Sequence, residues 1–181
     1  MFTKPMIAAA AVAGIVVTAG PALAADSGLY GASDPTYDGV YRQSMSILSL
    51  KAAGAKVPSS AVRWLKRQQC ADGGYLAYRA DTTVACQAPD ATTFSGQESN
   101  ATAMAAAALW ATGNKSRARK AVTWLTDHRN SDRGWAYYPA EGATSDTNST
   151  ALAHGALALV RGKHKTPYLR SVQQRCDAGK D

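Results

Sequence analysis

Phenylalanine is nearly missing from this chain of 181 residues, which has two, while alanine is abundant. That composition suits close-packed helices better than a β-sandwich. Long apolar runs are also scarce. The one run, Met6 to Val17, is too short to span a bilayer, and neither a lipobox cysteine nor a C-terminal sorting tail follows it. Preceded by Lys4 and followed by Ala22-Leu23-Ala24, it reads as a signal peptide over 1–24, cleaved near Ala24-Ala25. The expected product is a secreted chain of about 157 residues without a transmembrane segment, one domain in size. Acidic residues are few, and three stretches have none: 39–71, 99–126 and 147–175. The formal charge is +7, and +6 without Lys4. No nucleic-acid motif accompanies the positive balance, so nucleic acid is not an expected partner. There are three cysteines. Cys70 and Cys86 lie close enough along the chain to pair after export, which leaves Cys176 over; three reduced thiols are the alternative.

What the chain does have is a repeat. Ala61-Val62-Arg63-Trp64-Leu65, followed by Gly73-Gly74-Tyr75, returns sixty positions later as Ala121-Val122-Thr123-Trp124-Leu125, followed by Arg133-Gly134-Trp135. Each copy joins an amphipathic helix to a glycine turn with aromatics on its far side. Residues 25–40 read as a flexible lead-in, and 41–181 as the repeat domain, with two full repeats and an incomplete third.

Within that domain the pattern alternates. Met45, Ile47, Leu48 and Leu50 mark a helix buried on most sides that ends at Gly54, and Pro58 opens a surface helix carrying Trp64 and Leu65. Ala101 to Trp110 repeats the buried type and Ala118 to Leu125 the amphipathic type. Ala151 to Val160 and a helix begun by Thr166-Pro167 form the third pair. The expected fold is all-α, about six helices in stacked hairpins, with alanine-rich inner helices and amphipathic outer ones. Units this small must stack to bury their faces.

Trp64-Leu65 with Gln69 and Gly74-Tyr75, and Trp124-Leu125 with Gly134-Trp135, resemble the aromatic–Gln–Gly–aromatic repeat of terpenoid cyclases and protein prenyltransferases. These are the squalene cyclase-type α/α toroids built from prenyltransferase/squalene oxidase repeats. The inner-helix openings at Glu98-Ser99-Asn100 and Asp146-Thr147-Asn148 are similar too. The second repeat departs from the pattern with Arg129 where the first has Gln69. The resemblance implies a partial α/α toroid, because six helices are about half a closed ring. It implies chemistry on isoprenoids only if this is a fragment or half-ring of an enzyme. The clustered Asp-x-Asp-Asp acid of the cyclases and the zinc-binding Asp-x-Cys of the prenyltransferases are both missing, so catalytic residues stay unassigned, and neither a metal nor a cofactor is expected.

Two non-catalytic roles remain. Lys51, Lys56, Lys115, Arg117, Arg119, Lys120, Arg161, Lys163 and Lys165 fall near the C-terminal turns of the inner helices, and their opposite ends are acidic. The bland reading is complementation of helix dipoles; the functional one is attachment to an anionic cell-envelope polymer. The other role is a pocket for a small apolar ligand where Glu98, Asn100, Asp146 and Asn148 meet Tyr75 and Trp135, although the same polar residues suit helix N-caps. His154, alone in an Ala/Leu helix, either faces that cavity or is a satisfied core histidine. Trp64, Gln69, Gly74, Trp124 and Gly134 are expected to be structural. An unpartnered last outer helix points to fraying or to a homodimer.

Overall fold

The computed structural model describes residues 28–162 and 165–174. The expected signal peptide, Lys163, His164 and Cys176 lie outside them. Six helices follow in order: α1 Gly39–Ala52, α2 Ser59–Gln68, α3 Ser99–Ala111, α4 Lys115–Asp127, α5 Thr147–Arg161 and α6 Pro167–Ser171. Among the described residues there are no strands, only isolated bridges from Asp90 to Ser95 and from Trp135 to Asp146.

The packing centres on α3, which lies against α1, α4 and α5, while α2 backs α1 and α4 backs α5. Its Ala101, Ala103, Ala105, Ala106 and Ala108 are all buried, and so is Leu109. Small side chains let three neighbouring backbones approach one helix. The outer helices contribute the bulk, as Trp64 and Leu65 from α2 and Val122, Trp124 and Leu125 from α4.

Burial of α1 on most sides is not what the structure has. Met45 is 48% exposed, and Ser49 and Ala52 are open as well. With α3 on one flank and α2 behind, α1 has no helix on its other flank among the described residues. The exposed Ala151, Gly155, Ala158 and Leu159 put α5 in the same position. An apolar sequence does not reveal whether its helix is central or at the edge of the row.

The two glycine turns match bond for bond. Gly74 N–H donates to Asp72 Oδ1 (3.1 Å) and Gly134 N–H to Asp132 Oδ1 (2.8 Å). Tyr75 N–H reaches Thr102 Oγ1 and Trp135 N–H reaches Thr150 Oγ1, both at 2.9 Å. Glu98 N–H donates to the Tyr75 carbonyl and Asp146 N–H to the Trp135 carbonyl. Each turn is thus clamped to the first turn of the inner helix that follows. Gln69 Nε2 donates to the Gly73 carbonyl, and Arg129 Nε to the Arg133 carbonyl, both at 3.2 Å. Arg129 therefore does what Gln69 does, so the second repeat keeps the bond while changing the residue.

The lead-in, expected to be flexible, is tied down from Gly28. Gln43 Nε2 donates to the Gly28 carbonyl and Gln43 Oε1 accepts from Tyr30 N–H, and Tyr30 is buried. A Cβ on Gly28 would fall on the Ser60 carbonyl oxygen, as one on Gly73 would fall on that of Lys120. Ser60 and Lys120 are equivalent positions of α2 and α4, and both glycines have positive φ. Gly28 to Tyr30 thus packs on α2 as Gly73 to Tyr75 packs on α4. Leu29 stands at the second glycine's place, which hid the likeness in the sequence.

Cys70 and Cys86 form a disulfide with Cα atoms 5.8 Å apart. Beneath it the Arg79 guanidinium donates to the carbonyls of Thr82 (2.9 Å) and Val84 (2.6 Å). Closing a loop of this length contributes about 3 kcal/mol by restricting the unfolded chain.

Candidate functional site

The residues expected to line a mouth at the N-terminal ends of α3 and α5 mostly hold the fold instead. Tyr75 and Trp135 are fully buried, and Trp135 Nε1 donates to the Leu125 carbonyl at 2.6 Å. His154 is buried with its ring edge-to-face on Trp135, centroids 5.1 Å apart, in the manner of a core histidine. Asn100 is buried, and Asn148 is exposed.

Glu98 and Asp146 are N-caps. Glu98 accepts from Asn100 N–H (2.6 Å) and Ala101 N–H (2.8 Å), and Asp146 Oδ1 accepts from Ser149 N–H (2.7 Å). A carboxylate there satisfies orphan amides and meets the positive end of the helix dipole. Glu98 also carries a large desolvation cost, since only 2% of it is exposed. Burial pushes its pKa up to about 7 against the pull of the two amide bonds. Desolvation wins because no cation offsets it.

Of the expected set, Asp146 reaches an aromatic cleft. That cleft, about 430 Å³, is lined by Ala91, Phe94, Ala136, Tyr137, Tyr138, Ala143, Thr144 and Asp146. Phe94 is 75% exposed and Tyr137 39%. The Phe94 and Tyr138 rings meet at 67° with centroids 6.3 Å apart, and those of Tyr137 and Tyr138 at 68° and 4.8 Å. The three rings make a corner rather than a flat platform.

Backbone bonds hold the corner in place. The Tyr137 carbonyl accepts from Ser99 N–H, and the Ala136 carbonyl from the Ser99 hydroxyl (2.7 Å). Phe94 stands on a loop closed by reciprocal Asp90 and Ser95 backbone bonds, with Asp90 Oδ1 accepting from Thr92 and Thr93 N–H. Burial, and then the charge of Glu98, hold the Tyr137 and Tyr138 phenols above the usual tyrosine range.

Tyr138 follows the second glycine turn by four residues, whereas Phe94 belongs to no part of the repeat. Its only signal was a large apolar residue between Thr93 and Ser95 in a polar loop, where nothing would bury it.

No protein-family model, curated protein or solved structure matches the chain. The cleft's geometry is therefore the basis for assigning a function.

Proposed function

We propose that the protein is a secreted, non-catalytic binding module of partial α/α-toroid type that takes a small apolar ligand in the Phe94–Tyr137–Tyr138 cleft. The observation carrying this reading is the exposure of two large aromatics around one cleft. Exposed apolar side chains clustered on a folded surface mark interaction sites, whereas single ones need no explanation. Few polar groups line the walls, which favours an apolar ligand fixed by one or two polar contacts. Export agrees with the leader read over 1–24 and with the disulfide.

The cleft reading is tested by titrating small apolar alcohols while following the amide resonances of residues 91–95 and 136–146. Saturable shifts should appear there, and Phe94→Ala should weaken them about tenfold, the order of one buried aromatic contact. Phe94 is largely in solvent, so its loss should leave the fold intact. Shifts spread evenly over the surface would remove the reading. The enzyme alternative predicts conversion of isoprenoid diphosphates or squalene, visible by mass spectrometry, and the binding module predicts none.

A second reading rests on a different face. Arg63 of α2 and Arg117, Arg119 and Lys120 of α4 are exposed. Among the described residues the ion pair formed is Arg42 with Asp38, so these cations are not neutralised by neighbouring carboxylates. They suit an anionic envelope polymer. Retention on isolated cell envelopes should then fall steeply from 50 to 500 mM salt, a range over which screening shortens from roughly 14 to 4 Å. Salt-independent retention would exclude electrostatic attachment.

A further inference from the structure

The ligand class can be narrowed by the chemistry of the cleft walls, on the reading that the cleft is a ligand site. One carboxylate, Asp146, lines it and, among the described residues, no Lys, Arg or His does, in a chain that is strongly basic overall. Three aromatic rings supply the rest of its large side chains. Ring faces attract cations through the quadrupole, and the attraction grows as water is excluded.

The type of cation follows from the scarcity of acceptors. A primary ammonium or a guanidinium gives up strong hydrogen bonds to water and needs several acceptors in return. A sugar has the same difficulty with its hydroxyls. Against these walls of alanine methyls and rings, the polar groups are the Thr144 hydroxyl, the two phenols and the Asp146 carboxylate. A methylated ammonium has no N–H to satisfy, and its methyl groups gain from apolar burial while its charge remains.

We propose that the Phe94–Tyr137–Tyr138 corner with Asp146 binds a trimethylammonium group, carried either by a free solute such as choline or by a phosphocholine headgroup. The rings contact the methyls, and Asp146 balances the charge from the wall. Oδ1 of Asp146 is engaged with Ser149 N–H as the helix cap, which leaves its other oxygen for the cation.

The test compares choline with 3,3-dimethylbutan-1-ol, its uncharged carbon counterpart of nearly equal shape, by calorimetry and amide shifts on the full-length mature chain. Choline should bind about tenfold tighter, corresponding to roughly 1.4 kcal/mol and within the range of partly desolvated cation–π contacts. Asp146→Asn keeps a good N-cap and removes the charge. It should bring choline close to the neutral alcohol and leave the alcohol's affinity unchanged. Phe94→Ala should weaken both.

Equal affinity for the two probes in the unmodified protein overturns the cation assignment and leaves the apolar-ligand reading standing. No binding of either at the cleft overturns both. Sedimentation with phosphatidylcholine but not phosphatidylethanolamine vesicles, reversed by excess choline, would assign the headgroup as source; choline binding without sedimentation would assign the free solute.

Discussion

Trp124→Ala is expected to lower the unfolding free energy by about 3–5 kcal/mol, the range for deleting a large core aromatic. The indole joins two repeats. It rises from α4, stacks on His128 with centroids 4.1 Å apart, and covers Gly74 so closely that a Cβ on that glycine would sit 2.6 Å from Trp124 Cε2. Its Nε1 has no hydrogen-bond partner among the described residues, so the cost arises from the cavity and lost contacts. Trp124→Phe should accordingly lose much less than Trp124→Ala. Gly74→Ala should be harmful from the opposite direction, by overpacking the same contact. Urea unfolding of the three variants checks this, and a loss below about 1 kcal/mol for Trp124→Ala would show that the indole does not hold the repeats together.

The second large effect is a fall in stability between pH 5 and pH 8. Glu98 has its folded pKa raised to about 7 from an ordinary 4.5. A carboxyl shifted upwards favours the fold while protonated. Its contribution is complete below about pH 4.5 and is lost as the pH rises through 7, when the unfolded chain ionises more readily than the folded one. A shift of this size corresponds to roughly 3 kcal/mol. Asp34, Asp81 and Asp90 are shifted downwards by hydrogen bonds from neighbouring threonines. Their contributions are lost in more acidic solution, so the two windows are separate. Glu98→Gln cannot ionise, and the difference between it and the unmodified protein isolates the Glu98 term. Parallel stability curves for the two over pH 5–8 would be evidence against a desolvated carboxyl.

The helical architecture was readable because its signals are local and repeated. Trp64 and Trp124 recur with the same apolar partners, Pro58 and Pro167 mark helix starts, and Cys70 and Cys86 are near neighbours along the chain. All six helices lie where those signals put them. Curvature of the helical row into a toroid is not something such signals fix, since it would depend on many small rotations between repeats.

The candidate site was much less legible. Glu98, Asn100 and Asp146 looked like a mouth because polar groups at a helix start serve capping and binding with the same residue types; burial separates the two, and it sends Glu98 and Asn100 into the interior. The cleft itself depends on Phe94, in a loop with no periodicity. Its partners Tyr137 and Tyr138 lie over forty positions away. Arg129 carries the opposite lesson: a departure from the pattern looked like a weakened repeat, yet its side chain reproduces the bond made by Gln69.

The seat of Gly28 to Tyr30 against α2 also bears on how motion spreads through the chain. α2 and α4 each lean on the turn that precedes their own hairpin, so opening passes from one hairpin to the next. Amide hydrogen exchange should follow that order. Protection should be greatest in α3, with neighbours on both flanks, and decline through α5 to the five residues of α6. Tyr30 should hold α2 nearer to the α3 limit than the outward position of that helix suggests.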